Sequence, residues 1–466
     1  MAFELQPIMI SGKEVLPLIE GGKGVAVSTG LSSGAWAAAG GVGTFSAVNA
    51  DSVDADGNII RTVYAGKSRI QRFDELVNQA IQGGINQAHI AHEVSGGQGR
   101  MHMNVLWEMG GAERVLEGVM NGAKGMIHGI TCGAGMPFRL AALAAKYQVH
   151  YYPIISSARA FRALWLRSYR KLPDLLGGVV YEDPWLAGGH NGLSNSESPD
   201  NPEDPYPRVA ALRKTMNEFG LHQTPIVMAG GVWFLREWSN WLNNPEIGPI
   251  TFQYGTRPLL TQESPISAVW KKRLITLKEG DIKLNRFSPT GFYSSAVYNS
   301  FLHELYERSD REVAFVDHPT GDHIAEFSFG VRNKQVYLTQ HDLKLAKEYI
   351  ADGFTKALTT PDSTLIFATA DKASQIRQDQ LDCMGCLSQC QFSNWAANDK
   401  GTTGRKSDPR SFCIQKTLQE IAHGANPDEH LMFAGHAAYR FSEDPFYANG
   451  FVPTVKELVD RICTGN

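Results

Sequence analysis

A (β/α)8 barrel of the TIM type, carrying an inserted α+β, cysteine-rich addition towards its C-terminal end, is the fold this sequence predicts. Three observations lead there. Before residue 255, eight short runs of β-branched and apolar residues alternate with segments of helical period, the pattern of a parallel sheet covered by helices. Glycine crowds into the same stretch: 34 of the 46 glycines lie at or before Gly255, and 12 are spread over the remaining 211 residues. The 466 residues also exceed the roughly 250 of a simple barrel, which leaves room for an addition.

The eight predicted strands are residues 15–19, 43–48, 101–107, 126–131, 149–156, 178–182, 225–228 and 250–254. Between them, 138–147, 158–172, 207–219 and 234–243 read as helices, and Pro137 is placed for a first helical turn. Eight βα units favour closure, although an open doubly wound sheet satisfies the same pattern. Beyond residue 285 the rhythm changes. Segments 324–329 and 335–338 read as a hairpin around Arg332, Asn333 and Lys334, 342–358 as an amphipathic helix, and 418–463 as mostly helical. The chain is thus expected to comprise a barrel (1–284), an inserted region (285–425) and a C-terminal helical segment (426–466) returning to the barrel.

Charge and composition narrow the partners. With 43% hydrophobic and 20% charged residues the chain can build a sizeable core. Its net charge is 44 − 48 = −4 without blocks of like charge, so nothing recommends nucleic acid or an anionic membrane as a partner. No apolar run reaches a membrane span, and the start MAFELQPIMISGKEV lacks the basic and apolar regions of a signal peptide. A cytoplasmic protein acting on a small molecule is expected, with a homodimer left open.

In a barrel the chemistry sits in the loops after the strands. Here those loops are rich in glycine: Gly21, Gly22 and Gly24 after the first strand, Gly188, Gly189 and Gly192 after the sixth, Gly230 and Gly231 after the seventh, Gly255 and Thr256 after the eighth. Glycines let backbone N–H groups approach an anion closely, and the last two loops are the customary phosphate cradle of barrels. His190, between Gly189 and Gly192, carries an imidazole able to exchange a proton near neutral pH. His89 and His92 have metal-like spacing, but only Glu93 stands beside them as a carboxylate, and Cys132 reads as a buried thiol.

The segments PLIEGGKGVAVS (from Pro17), AGGVGTFSAV (from Ala39), HMNVLW (from His102), AGGHNG (from Ala187), MAGGV (from Met228) and QYGTRPLLTQES (from Gln253) together resemble the nitronate monooxygenase family, formerly 2-nitropropane dioxygenase. That family includes FMN-dependent enoyl reductases of fatty acid and polyketide synthesis. The resemblance covers residues 15 to about 275, and the segment from Leu431 to His436 resembles the family's last barrel-associated helix. It implies an FMN-binding barrel in which Gly21 and Gly22 lie along the flavin and Asn104 hydrogen-bonds it. It further implies that Gly188 and Gly189 pass close to the cofactor, that Gly230, Gly231, Gly255 and Thr256 hold its phosphate, and that His190 is the catalytic base. Two activities follow from the resemblance: oxidation of alkyl nitronates with O2, or NAD(P)H-dependent reduction of enoyl thioesters. Glu20 and Lys23 depart from the family's usual Gln and Met, and Glu182 to His190 is one residue longer than usual.

Cys383, Cys386 and Cys390 with Cys413 supply four thiols at a spacing of C-x2-C-x3-C and a distant fourth. A 4Fe-4S cluster, a structural zinc and ordinary thiols are the three readings, the first favoured by the close triplet. A cluster passes electrons singly, so it points towards a reductase or towards a redox protein as electron donor.

Overall fold

The computed structural model describes residues 5–61 and 64–466. Eight parallel strands close into a barrel: β1 Leu18–Glu20, β2 Val42–Ser46, β3 Arg100–Leu106, β4 Gly129–Gly133, β5 His150–Ile155, β6 Val179–Glu182, β7 Ile226–Ala229 and β8 Ile250–Tyr254. Closure runs through Phe252 opposite Leu18, where β8 pairs with β1. Inside the barrel Ile19, Val42, Tyr152, Val180 and Val227 pack together. A tight hairpin, Ile8–Ile10 with Lys13–Val15, plugs the N-terminal end, adding Ile10 and Val15 to that core. Its turn residue Ser11 hydrogen-bonds His102 Nε2 (2.9 Å) and the Tyr152 hydroxyl (2.7 Å). The first expected strand, 15–19, therefore starts three residues late, because Val15 belongs to the plug.

The outer helices are α1 Gly30–Ala38, α2 Arg69–Ser95, α3 Ala112–Gly122, α4 Leu140–Tyr147, α5 Ala158–Arg167 and α6 Pro205–Glu218. After β7 the expected helix 234–243 shrinks to the 3-10 turn Leu235–Trp238. The helix expected over 158–172 breaks after Arg167 into the 3-10 turn Tyr169–Lys171. The final helix, Val455–Cys463, returns to the barrel beside α1 and buries Val455, Leu458, Val459 and Ile462 there, a spacing that keeps one face inward.

Between β8 and that return, the strands Ile282–Asn285 and Ser294–Val297 form a sheet whose third strand is Gly189–His190, from the loop after β6. A small antiparallel sheet follows, built from Glu312–Ala314, Thr364–Ala368 and Lys356–Thr359. The expected hairpin is present as Ala325–Phe329 paired with Lys334–Leu338. The helix expected over 342–358 runs from Gln340 to Ala351 only; Gly353 at φ +96° turns the chain into the strand Lys356–Thr359. Between residues 418 and 463 helix is also sparser than expected, being cut into short turns before the final helix.

Candidate active site

The loops at the strand C-termini enclose a concave cavity at the end of the barrel where such enzymes bind their ligands. Gly21, Gly22, Asn104, Gly188, Gly189, His190, Gly230, Gly231, Gly255 and Thr256 all line it. The structure thus brings together ten residues scattered over 236 positions of sequence.

Their conformations explain the residue types. A Cβ on Gly22 would lie 2.2 Å from Asn104 Cβ, so β1's loop and β3 approach as only glycine permits. Gly188 is as constrained, its would-be Cβ falling 2.5 Å from the Ala434 carbonyl carbon. Gly230 and Gly231 adopt φ of +90° and +75°. Among the described residues, the backbone N–H groups of Gly230, Gly231, Gly255 and Thr256 find no acceptor in any loop or side chain. Four unengaged donors thus stand at the ends of β7 and β8, a glycine cradle in the loops that hold anions in many barrels. Arg257, next in sequence, plays no part in that cradle. It is buried, with its guanidinium turned away to Trp233 O (2.8 Å), Asn466 O (3.2 Å) and the Tyr447 hydroxyl (3.1 Å).

His190 lines the same cavity. Its Nε2 lies 2.6 Å from Ser288 Oγ, which in turn lies 2.8 Å from Thr290 Oγ1. Phe433 packs edge-on against the ring at 5.4 Å. Desolvation pushes the imidazole down to about pKa 4, so it is neutral at neutral pH. With Nε2 taken by Ser288, Nδ1 is the nitrogen left for a substrate. Sequence reasoning missed Ser288, 98 residues from His190, with nothing in its local sequence to mark it, and it singled out the segment holding Phe433, 243 residues away, without giving that ring a part at the imidazole.

Other polar groups sort themselves. Lys23 does not reach across the cavity; its ammonium bends back to Glu20 Oε1 (3.1 Å) and Gly21 O (2.7 Å), and so is neutralised at its own loop. Glu182, at the end of β6, lines the cavity, where desolvation and then the charge of Asp183 push its carboxyl up to about pKa 8. Cys132 is fully buried behind β4, and His89 and His92 are exposed on α2.

The four C-terminal-region cysteines gather in one apolar core with Phe392, Trp395 and Phe412. All six cysteines of the chain are free thiols. The expected metal site on Cys383, Cys386, Cys390 and Cys413, whether an iron–sulfur cluster or zinc, finds no support: among the described residues no group of three or more His, Cys, Asp or Glu side chains could hold a metal ion.

A closed parallel barrel with a glycine-lined cavity at the C-terminal ends of its strands and a neutral imidazole in the cavity wall is the architecture of a barrel enzyme. The sequence matches the nitronate monooxygenase family over residues 9–465. The chain belongs to the nitronate monooxygenase family and is a flavin-dependent oxidoreductase. No curated protein matches it. Among solved structures, nitroalkane oxidase from Streptomyces ansochromogenes is similar at 13% identity and a TM-score of 0.53, covering 97% of this chain and 95% of that one. The enoyl reductase domain of MlnA from the macrolactin biosynthesis cluster of Bacillus amyloliquefaciens shares 11% identity with a TM-score of 0.54, over 97% and 93% of the two chains. FabK from Thermotoga maritima shares 12% identity with a TM-score of 0.50, over 96% and 92%. At such identities the likeness is one of fold.

Proposed function

We propose that this protein binds FMN and oxidises alkyl nitronates or their parent nitroalkanes with O2. The observation that carries the reading is His190: a neutral imidazole, anchored at one nitrogen by Ser288 and set in the wall of a cavity that ends in a glycine cradle. Gly230, Gly231, Gly255 and Thr256 would hold the FMN phosphate through their N–H groups. Gly21, Gly22, Asn104, Gly188 and Gly189 would border the ring system. FMN, when bound, supplies the acceptor for the substrate's electrons.

The protein's own contribution is positional. His190 takes the proton from the carbon α to the nitro group, and Ser288 holds the ring so that Nδ1 receives it. Leu418, Ile421 and Phe433 from the added region form an apolar wall that limits water around the forming anion. That wall also favours a second reading, NAD(P)H-dependent reduction of an enoyl thioester, because an acyl chain fits apolar surface.

Purified protein turning over propyl nitronate with O2 would support the first reading. Anaerobic bleaching of the flavin by NAD(P)H, with enoyl-CoA reduction and no nitronate turnover, would replace it by the second. On either substrate His190→Ala should keep the flavin bound and lower kcat by roughly 10²–10⁴-fold, the usual share of a general acid or base; unchanged kcat would remove His190 from the chemistry.

A further inference from the structure

His190 lines the cavity, whereas Ser288 and Thr290 do not, so the hydroxyls that follow its Nε2 lead away from the substrate. We infer that Ser288 and Thr290 form a proton relay joining the His190 imidazole to solvent behind the cavity wall, and so act on the reaction through that ring as positioning residues. The inference rests on His190 exchanging a proton with the substrate, as proposed above, whichever of the two substrates is used.

The hydrogen-bond valences close in one direction. Nδ1 can take a proton only while Nε2 carries the ring's hydrogen, and that hydrogen then donates to Ser288 Oγ at 2.6 Å. A hydroxyl has two lone pairs and one proton. At Ser288 the lone pairs meet His190 Nε2–H and, at 3.4 Å, Thr290 N–H, so its proton goes to Thr290 Oγ1 at 2.8 Å. At Thr290 the lone pairs meet the Ser288 hydroxyl and Phe292 N–H (3.2 Å), and its own proton finds no acceptor among the described residues. Ser288 is 2% exposed and Thr290 is half-buried, so the free proton stands where the burial ends.

The site also needs such a path. Desolvation holds the imidazole down at about pKa 4, so a ring with two protons is costly there. A proton arriving at Nδ1 is therefore best matched by one leaving from Nε2. When the C–H bond α to the nitro group breaks, its electron pair stays on the substrate and its proton goes to Nδ1. The Nε2 proton passes to Ser288, that of Ser288 to Thr290 and that of Thr290 to water, which leaves the ring neutral. After product departs, water entering the cavity takes the Nδ1 proton and the chain draws one back from solvent, restoring the first tautomer. On an enoyl thioester the chain runs inward: Nδ1 gives its proton to the α-carbon, and solvent refills the ring through Thr290 and Ser288.

The turn that carries the hydroxyls is tied to the strand that carries the imidazole. Ser294 pairs with His190, and Asn191 N–H donates to Tyr293 O at 3.1 Å. Gly291 N–H closes the turn onto Ser288 O at 3.0 Å. Asn285 clamps both sides, accepting from Phe287 N–H (3.2 Å) and donating to Ser294 O (3.0 Å). Donor and acceptor are thereby held at the distances proton transfer requires.

The test compares Thr290→Val, which keeps the shape and loses the hydroxyl, with Thr290→Ser, which keeps the hydroxyl. On nitroethane, which must lose its α-proton, kcat of Thr290→Val should fall about tenfold or more, less than for His190→Ala because water can stand in for one hydroxyl. Ethyl nitronate has already lost that proton, so the fall there should be smaller and the nitroethane-to-nitronate ratio of kcat should drop. Thr290→Ser should restore the ratio. Wild-type kcat should curve with the fraction of D2O, the sign of several protons moving together, and become linear in Thr290→Val. If wild type reduces enoyl thioesters instead, the loss and the curvature are read on that substrate. Thr290→Val with wild-type kcat and curvature would overturn the relay, as would Thr290→Ser as impaired as Thr290→Val. An impaired His190→Ala beside an unimpaired Thr290→Val strikes the relay alone, whereas an unimpaired His190→Ala strikes the reading of the site on which it rests.

Discussion

Glu182 shows how the cavity reverses the ordinary behaviour of a carboxyl. Desolvation and the neighbouring Asp183 raise it to about pKa 8, so it carries its proton at neutral pH and presents a donor to the cavity. The sign follows: a raised carboxyl contributes stability that is full below pH 4.5 and is lost as pH rises through about 8. Glu182→Gln, which mimics the neutral form and does not titrate, should therefore melt like wild type at pH 4 and more stably than wild type at pH 9, as thermal denaturation at the two values will show. Lys23 gives the complementary lesson. It stands where the resembled family usually has Met, and its pairing with Glu20 and Gly21 O spends its charge within its own loop.

At the scale of elements, the glycines mislead and then explain. Gly83 and Gly84 lie in the middle of the 27-residue α2. A Cβ on Gly83 would sit 1.9 Å from Ala50 O, and one on Gly84 2.5 Å from Val119 Cγ2 on α3. Gly30 and Gly34 of α1 likewise admit α2, with would-be Cβ atoms 2.2 Å from Gln87 O and 2.6 Å from Val94 Cβ. Much of the glycine excess before residue 255 thus serves close helix packing, not only the cofactor loops. Gly84→Val should destabilise the protein by about 1–3 kcal/mol through overpacking, measurable by urea denaturation. The bottom of the barrel makes a second prediction at this scale. Burial lowers His102 to about pKa 3 and His128 to about 4, so each favours its neutral form when folded. Their contribution is full above pH 6.5 and is lost as pH falls towards 4 and 3, so the urea midpoint should drop between pH 7 and pH 4.5. A flat profile across that range would contradict this.

Over the whole molecule, the addition completes the active site instead of standing apart from it. Strand Ser294–Val297 pairs with Gly189–His190, Ser288 holds the imidazole, and Phe433 packs on it. The chain then closes the outer layer with the helix Val455–Cys463 against α1. Leu458 is completely buried in that contact. Leu458→Ala should cost about 2–5 kcal/mol, seen as a lowered melting temperature of the barrel as a whole.

The sequence by itself determined the eight-stranded barrel and its glycine loops, because short β-branched and apolar runs and strand-end glycines are local signals that neighbouring residues carry. It overextended the helices at 158–172, 234–243 and 342–358, where local period continues past the point at which packing stops supporting a helix. It was silent about α2's unbroken length, the Ser288 anchor and the folding of Lys23 onto Glu20. Those were decided only by tertiary structure: each depends on atoms that come from distant segments, and the identity of a contact partner across such a distance leaves no mark on the residues around it.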